Sequence, residues 1–194
     1  MTVSNVLEAA VAVEPTDLGW LALAVRGRKL LAMVYGFPSA TKAERKLYHE
    51  LETIAEDTPS KASDGSLATE WAELVANYCR GEPTPLDRIV LADERLTPFA
   101  RQVTQRCREI PSGGTMTYGE LAAACGRPRA ARAVGSVMAR NPWPLVTPCH
   151  RVVAACGRLG GYSAPQGLAM KRRLLAMEGV AVKPLQGSST RVPS

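Results

Sequence analysis

The sequence lacks the features of a secreted or membrane-bound protein. No apolar run approaches the ~18 residues of a membrane-spanning helix, and no basic stretch followed by an apolar one opens the chain. Its five cysteines are an odd number without a C-x-x-C pair, and only two histidines accompany them. These absences argue against a disulfide framework and a zinc site. We therefore expect a cytoplasmic protein that binds neither metal nor membrane.

Charge is distributed unevenly along the chain, although the net value is only +6. Residues 1–100 hold 10 basic and 15 acidic residues, whereas residues 101–180 hold 12 basic and 3 acidic ones. An arginine-rich second half is what binding to a phosphate backbone requires. Charge alone equally allows a basic surface that keeps the protein in solution.

The first half is predicted to be a small α/β domain over residues 1–92, with an antiparallel sheet and helices. Two apolar runs within residues 18–36 flank a polar turn and indicate a β-hairpin. Apolar spacing predicts one helix from Thr41 and another that begins at an N-cap, Ser66. Tyr78 belongs to the apolar stripe of that second helix and is interpreted as a core residue. A short strand is predicted over 86–91.

The second domain, residues 93–180, is predicted to be mostly helical. Thr117 and Glu120 form a capping box that begins a short helix, and a second helix follows over about 128–140. Two short helices joined by a tight turn have the proportions of a helix-turn-helix unit, so we expect a winged-helix-like architecture. A flexible tail is predicted over 181–194.

The helix over 128–140 carries small side chains around a single cation, Arg132. Small residues let a helix approach another backbone closely. That backbone is either a neighbouring helix or nucleic acid, and the stretch alone leaves both interpretations open.

Prolines interrupt the segment that leads to Cys149 and His150. Pro142, Pro144 and Pro148 exclude a helix and a central strand. The segment is therefore predicted to be a stiff loop that holds Cys149 in a fixed place. A cysteine beside a histidine is weak evidence of catalysis on its own, because a buried cysteine is usually an inert small side chain.

Several motifs in the second half occur together in one order. They are Thr97-Pro98-Phe99, Tyr118-Gly119-Glu120-Leu121-Ala122, Ala131-Arg132-Ala133-Val134-Gly135, Asn141-Pro142, Pro148-Cys149-His150-Arg151-Val152, Gly161-Tyr162-Ser163 and Lys171 through Leu174-Leu175 to Glu178-Gly179. In order and near-spacing they resemble the O6-alkylguanine-DNA alkyltransferase family. The first half has no diagnostic motif. Some family members bind zinc there, but this half has only Cys79 and His49, so no metal is expected.

The resemblance implies DNA repair without a cofactor, by a single-turnover transfer of the alkyl group from O6-alkylguanine in duplex DNA to Cys149. His150 would form the thiolate through a water, and Glu178 would orient the histidine. Asn141 would pin the loop, and Tyr118 would donate a proton to guanine N3. A cysteine needs such help because its ordinary pKa of about 8.5 leaves little thiolate at neutral pH.

The resemblance also implies how DNA is held. The target base is flipped out through the minor groove, and Arg132 fills the gap. The residues implied to contact DNA are Arg129, Ala131, Arg132, Ala133, Gly135 and Ser136. Those implied to form the substrate pocket are Pro144, Val152, Tyr162 and Ser163. We expect a monomer in solution; cooperative binding to DNA is left open.

The chain departs from the family pattern at three places, and at one of them Thr104 stands where an aromatic residue is common. The loop from Ser163 to Gln166 is slightly longer, and we expect it to bulge into solvent, since a short insertion costs little. Thr147 replaces the usual apolar residue before Pro148. Two other functions fit parts of the sequence. One is that of a DNA-binding relative without transfer activity, which the presence of Cys149 opposes, and the other is that of an unrelated cysteine hydrolase, which the basic helical half opposes.

Overall fold

A three-stranded antiparallel sheet begins the fold. The computed structural model describes residues 9–54, 65–155 and 158–181. In spatial order the strands are β1 (Ala10–Glu14), β2 (Trp20–Arg26) and β3 (Lys29–Phe37). The predicted hairpin is confirmed as β2 and β3, joined through Gly27, whose φ of 59° suits a glycine. Strand β1 was not predicted, because no clear pattern marks the start of the chain.

Helices cover both faces of this sheet. They are α1 (Ala40–Ile54) and α2 (Gly65–Cys79). Alternate residues of β2 point to opposite faces: Ala22 and Ala24 pack beneath α1, whereas Leu23 and Val25 pack with α2. Burial of both faces explains why the hairpin strands are continuously apolar.

Two local predictions in the first half are wrong. Helix α2 begins at Gly65, so Ser66 lies inside its first turn and is not the N-cap. The predicted strand over 86–91 is a 3-10 turn, Leu86–Arg88, followed by a single bridge between Leu91 and Leu30. Proline immediately before the turn fixes φ and removes a donor, which favours a turn over a strand.

The second half is mostly helical, as predicted. Its helices are α3 (Pro98–Arg108), α4 (Tyr118–Ala124), α5 (Ala131–Ala139) and α6 (Leu168–Met177). The capping box is confirmed: Glu120 N–H donates to Thr117 Oγ1, and Thr117 N–H donates to Glu120 Oε2. Helix α5 begins later than predicted, because the preceding residues form a turn closed by the Ala130 N–H bond to the Arg127 carbonyl.

The two halves share one apolar cluster. Trp143, Leu145 and Met170 of the second half pack with side chains of β2, β3 and α2. A two-residue parallel pair also joins β4 (Met116–Thr117) to β5 (Val152–Val153). The division near residue 92 stays a prediction, and the predicted tail lies, apart from Ala181, outside the described residues. No helix in the described ranges is long and apolar enough to cross a membrane.

Candidate active site

Asn141 closes the proline-rich loop around the Cys149 sulfur. Its Nδ2 donates to the Thr147 carbonyl at 2.9 Å and lies 3.3 Å from Cys149 Sγ. Its Oδ1 accepts the Trp143 N–H at 3.1 Å. One amide therefore both folds the loop and directs a donor at the sulfur.

Strand β3 anchors the same loop from the first half. Trp143 Nε1 donates to the carbonyls of Leu30 and Leu31, both at 2.9 Å, and Met33 N–H donates to the Pro142 carbonyl at 2.8 Å. Leu145 has a φ of 71°, a region that costs a non-glycine residue of order 1–3 kcal/mol. Its buried packing and these anchors hold the loop in that conformation.

Cys149 begins a single 3-10 turn, Cys149–Arg151, and only 6% of the residue is exposed. Burial raises the pKa of its thiol, because a thiolate is poorly solvated there. The Asn141 hydrogen bond and the positive charge of Lys171 oppose that rise. The sulfur thus needs a nearby proton acceptor to become a thiolate at neutral pH.

His150 is a buried candidate for that acceptor. Its Nε2 lies 3.1 Å from Glu178 Oε1, and its Nδ1 has no hydrogen-bond partner among the described residues. Burial lowers the pKa of His150 although Glu178 opposes the shift, and this direction favours the neutral ring. A neutral ring that donates from Nε2 to the carboxylate leaves Nδ1 as a free acceptor.

Glu178 is the hub of a buried hydrogen-bond network. Arg151 Nη2 donates to its Oε1 at 2.6 Å, and the Tyr78 hydroxyl donates to the same oxygen at 2.6 Å. Burial alone would raise the pKa of Glu178, but bonds from His150, Arg151 and Tyr78 hold it well below its ordinary value. Sequence reasoning gave neither Arg151 nor Tyr78 a role. The sequence signal that could have indicated a role for Tyr78 is its hydroxyl, a polar group at the end of an otherwise apolar stripe.

Two cavities meet at Cys149. The smaller, about 440 Å³, is lined by Tyr118, Gly135, Met138, Ala139, Cys149, Gly161, Tyr162 and Ser163. The larger, about 520 Å³, extends toward β3 and α1 and includes Tyr35, Asn141, Pro144, Cys149, Tyr162 and Pro165 in its lining. The sulfur therefore has one cavity beside helix α5 and another beside the first-half sheet. Three of the four predicted pocket residues line these cavities.

Lys171 contacts several residues in and beside the wall of the smaller cavity. Its Nζ donates to the carbonyl of Val152, the fourth predicted pocket residue, at 2.6 Å and lies 3.5 Å from that of Gly161. It also lies 6.0 and 5.9 Å from the ring centroids of Tyr118 and Tyr162. Burial lowers the pKa of Lys171 to about 8. Its importance was not predicted from the sequence.

Helix α5 presents an exposed face beside Tyr118. Val134 and Met138 are buried against α3 and α4, whereas Arg132, Ala133 and Ser136 are exposed. Ala131 and Gly135 are half-buried, and a Cβ added at Gly135 would lie 4.0 Å from the Tyr118 ring. Arg129 is exposed in the turn before the helix, not on it.

The loop from Ser163 to Gln166, which is longer than the family pattern, runs along the wall of the larger cavity. Ser163, Ala164 and Pro165 line the larger cavity, and Ala164 also packs against the core. Only Gln166 is both exposed and away from these walls. The expected bulge into solvent is thus limited to the end of the loop. Among the described residues, no group of three His, Cys, Asp or Glu side chains could hold a metal ion.

Comparison with known proteins identifies the family. Residues 98–180 match the family described as 6-O-methylguanine DNA methyltransferase, DNA binding domain. The fold matches the crystal structure of Mycobacterium tuberculosis OGT in complex with DNA, with a TM-score of 0.65 and 32% identity, over 87% of this chain and 92% of that one. The chain belongs to the 6-O-methylguanine DNA methyltransferase family.

Curated relatives of the chain include methyltransferases of this family and a larger bifunctional protein. The methylated-DNA–protein-cysteine methyltransferase of Salmonella typhimurium is 44% identical over 108 residues, which are 56% of this chain and 61% of the relative. The bifunctional transcriptional activator and DNA repair enzyme Ada of Escherichia coli is 34% identical over 172 residues, 89% of this chain and 46% of the relative. The chain thus spans about three-fifths or less of these relatives.

Proposed function

We propose that this protein repairs DNA by transferring the alkyl group of an O6-alkylguanine to Cys149. The observation that carries the proposal is the setting of the sulfur: Asn141 donates toward it, and the neighbouring His150 has a free Nδ1 acceptor while its Nε2 contacts Glu178. This nucleophile, base and orienting carboxylate are the arrangement of a catalytic triad. Relatives named methylated-DNA–protein-cysteine methyltransferase support the same chemistry.

The transfer is a displacement at carbon. His150 Nδ1 takes the thiol proton through a water, and the thiolate attacks the alkyl carbon as the bond from that carbon to guanine O6 breaks. The departing guanine keeps the electron pair and gains one proton at N3 from Tyr118. Tyr118 then regains a proton from solvent and His150 releases the thiol proton to solvent, so that one proton leaves the cysteine and one reaches guanine. No metal or cofactor enters these steps.

The smaller cavity suits the flipped base, because Tyr118 lies on one wall and Tyr162 on another. The Val152 carbonyl, which accepts a hydrogen bond from Lys171, would contact the guanine edge. The alkyl carbon would then lie between guanine O6 and Cys149 Sγ, and the rest of a larger alkyl group could extend into the larger cavity. A base must leave the duplex to reach such a site.

Helix α5 is proposed to enter the minor groove as the second helix of a helix-turn-helix unit. Its small exposed side chains permit close approach, and Arg132 would occupy the space that the flipped base leaves. The same surface would contact the DNA through Arg129, Ala131, Ala133, Gly135 and Ser136. The domain over residues 93–180 would thus bind duplex DNA, with the protein acting as a monomer in the cytoplasm.

Transfer of label from methylated duplex DNA tests the proposal. Incubation with DNA that carries a labelled O6-methylguanine should move the label to the protein, whereas Cys149→Ser should bind the DNA without taking the label. Retention of all label on DNA would contradict the proposal and favour a binding protein without transfer activity. Release of label into solution would favour a hydrolase.

Base flipping needs a separate comparison. Arg132→Ala should slow transfer from duplex DNA far more than transfer from free O6-methylguanine, because the free base requires no extrusion, which costs a few kcal/mol. Equal losses on the two substrates would contradict the role of Arg132. Affinity for duplex DNA should also fall steeply with salt, since counterions are released on binding.

A further inference from the structure

The Tyr78 hydroxyl, which comes from the first half, contacts both Glu178 and His150. Its oxygen lies 2.6 Å from Glu178 Oε1 and 3.2 Å from His150 Nε2. Those two atoms are themselves 3.1 Å apart, so the three polar atoms form a triangle. Tyr78 is 8% exposed, and the His150 side chain is fully buried. The candidate base and its carboxylate therefore share a third polar group, 72 positions from the histidine in sequence.

The protons in this triangle follow from the neighbours of each atom. His150 Nε2 carries a proton, because its lone pair would otherwise face a carboxylate oxygen at 3.1 Å. Tyr78 then finds no acceptor at Nε2, so its hydroxyl donates to Glu178 Oε1. The Arg151 guanidinium, which binds the same oxygen, has only donors and cannot take that proton. The Tyr78 oxygen is thus left as an acceptor that faces the Nε2 proton.

Glu178 Oε1 has more donors around it than lone pairs. Each carboxylate oxygen offers about two lone-pair sites, and Oε1 lies 2.6 Å from both Arg151 Nη2 and the Tyr78 hydroxyl. The contact from Oε1 to His150 Nε2, at 3.1 Å, is longer than either. The Nε2 proton is therefore shared between Oε1 and the Tyr78 oxygen, and loss of the hydroxyl removes one of its two acceptors.

We propose that Tyr78 is a positioning residue, whose hydroxyl accepts the Nε2 proton of His150 and donates its own proton to Glu178. Glu178 then orients the histidine in part through a residue of the first half. With Nε2 held as the donor, Nδ1 stays the unprotonated nitrogen that deprotonation of the thiol needs. Chained hydrogen bonds strengthen one another in a buried site. The inference rests on the proposed function for its part in repair, but the state of the ring can be measured without DNA.

Nitrogen-15 NMR of protein labelled in its histidine side chains tests these hydrogen bonds. The sequence has two histidines, and His49, whose side chain is 66% exposed, gives the reference signal. At about pH 8, above the ordinary pKa of histidine, wild-type His150 should carry its proton on Nε2. In Tyr78→Phe, which keeps the ring, the Nε2 proton should exchange with water about tenfold faster, because one acceptor is lost. A proton on Nδ1 in the wild type would overturn the proposal, even if the variant does not fold.

Alkyl transfer separates positioning from a merely structural role. With saturating methylated duplex DNA, Tyr78→Phe should react roughly three- to tenfold more slowly than the wild type, with unchanged affinity for the DNA. The control is Leu51→Ala, in the separate apolar cluster between α1 and the sheet, which should lose stability but keep the transfer rate and the His150 exchange rate. The wild-type exchange rate or transfer rate in Tyr78→Phe would overturn the proposal, as would both losses in Leu51→Ala.

The outcome can be separated from that of the proposed function. Wild-type protein that takes no alkyl group from DNA would contradict the repair function, and the Nε2 exchange rates alone would then decide the role of Tyr78. Normal alkyl transfer by the wild type, with the wild-type exchange rate in Tyr78→Phe, would keep the repair function and overturn the positioning role.

Discussion

The second half of the chain supplies the hydrogen-bonded polar side chains at Cys149, whereas the first half supplies groups that hold them in place and part of the wall of the larger cavity. Asn141, His150 and Glu178 all belong to the second half. From the first half come the β3 carbonyls that hold Trp143 and the Tyr78 hydroxyl on Glu178. The contrast teaches that residues with a chemical task form recognisable motifs, while their supports can come from an ordinary sheet and helix.

The buried network around Glu178 gives the largest expected effect. Glu178→Gln should lower the free energy of unfolding by about 3–5 kcal/mol, because it leaves the Arg151 cation without its buried partner. Tyr78→Phe should lower it by about 1–3 kcal/mol, through the loss of one hydrogen bond to a charged group. Urea denaturation measures both. A Tyr78→Phe protein as stable as the wild type would mean that the first half does not hold this centre.

Acid should weaken the same network without a mutation. The pKa values of Glu178 and His150 both lie below their ordinary values, so the unfolded chain takes up protons at higher pH than the folded one. The stability that these groups contribute is present above their unfolded pKa values, about 4.3 and 6.5, and is lost as pH falls below them. Thermal unfolding from pH 7 to pH 3 should therefore show falling stability. Glu178→Gln should flatten the part below about pH 4.3, and an unchanged slope there would contradict this assignment.

A matched pair of glycines compares the two halves directly. A Cβ at Gly160 would lie 3.0 Å from Tyr118 Cε2 at a φ of 70°, whereas one at Gly27, with a φ of 59°, has nothing within 4 Å. Both alanine variants should lose about 1 kcal/mol of stability, because left-handed backbone disfavours a side chain. Gly160→Ala alone should also slow alkyl transfer, by roughly tenfold, since displaced catalytic groups react poorly. Equal transfer rates in the two variants would show that Gly160 does not position Tyr118.

Thr147 gives the smallest expected effect, and it is a gain. Its Oγ1 is buried without a partner among the described residues, and nothing in the structure explains a hydroxyl there. Thr147→Val keeps the shape and removes the unsatisfied group, so it should raise the free energy of unfolding by about 1 kcal/mol. A loss of stability on urea denaturation would indicate that the hydroxyl has a partner.

Local sequence signals predicted the parts of the fold that local forces determine. The capping box of Thr117 and Glu120, the hairpin turn at Gly27 and the stop at Gly179 each depend on a few adjacent residues. The pairing of β4 with β5 was not predicted, because a strand of two residues shows no periodicity in the sequence and its pairing depends on tertiary contacts. The segment after Pro85 has the composition of a strand, but it forms a 3-10 turn and then a single bridge between Leu91 and Leu30.

The candidate site was predictable to the extent that motifs mark it. The family resemblance named Asn141, Cys149, His150 and Glu178, and the structure brings these four together. The contacts of Tyr35 and Tyr78 were not predicted, because their hydroxyl partners lie far away in sequence, 127 positions for Tyr35 and 100 for Tyr78. A tyrosine in an apolar stripe looks the same from sequence whether its hydroxyl contacts water or a buried carboxylate.

Stoichiometry tests alkyl transfer to Cys149 most directly. A thioether is not hydrolysed in water, so each chain should accept one alkyl group and stop. Intact-mass measurement after exposure to excess duplex with O6-methylguanine should show one added methyl per chain, on the peptide that contains Cys149. Multiple turnovers, or modification chiefly at Cys156, which lies outside the described residues, would contradict the mechanism.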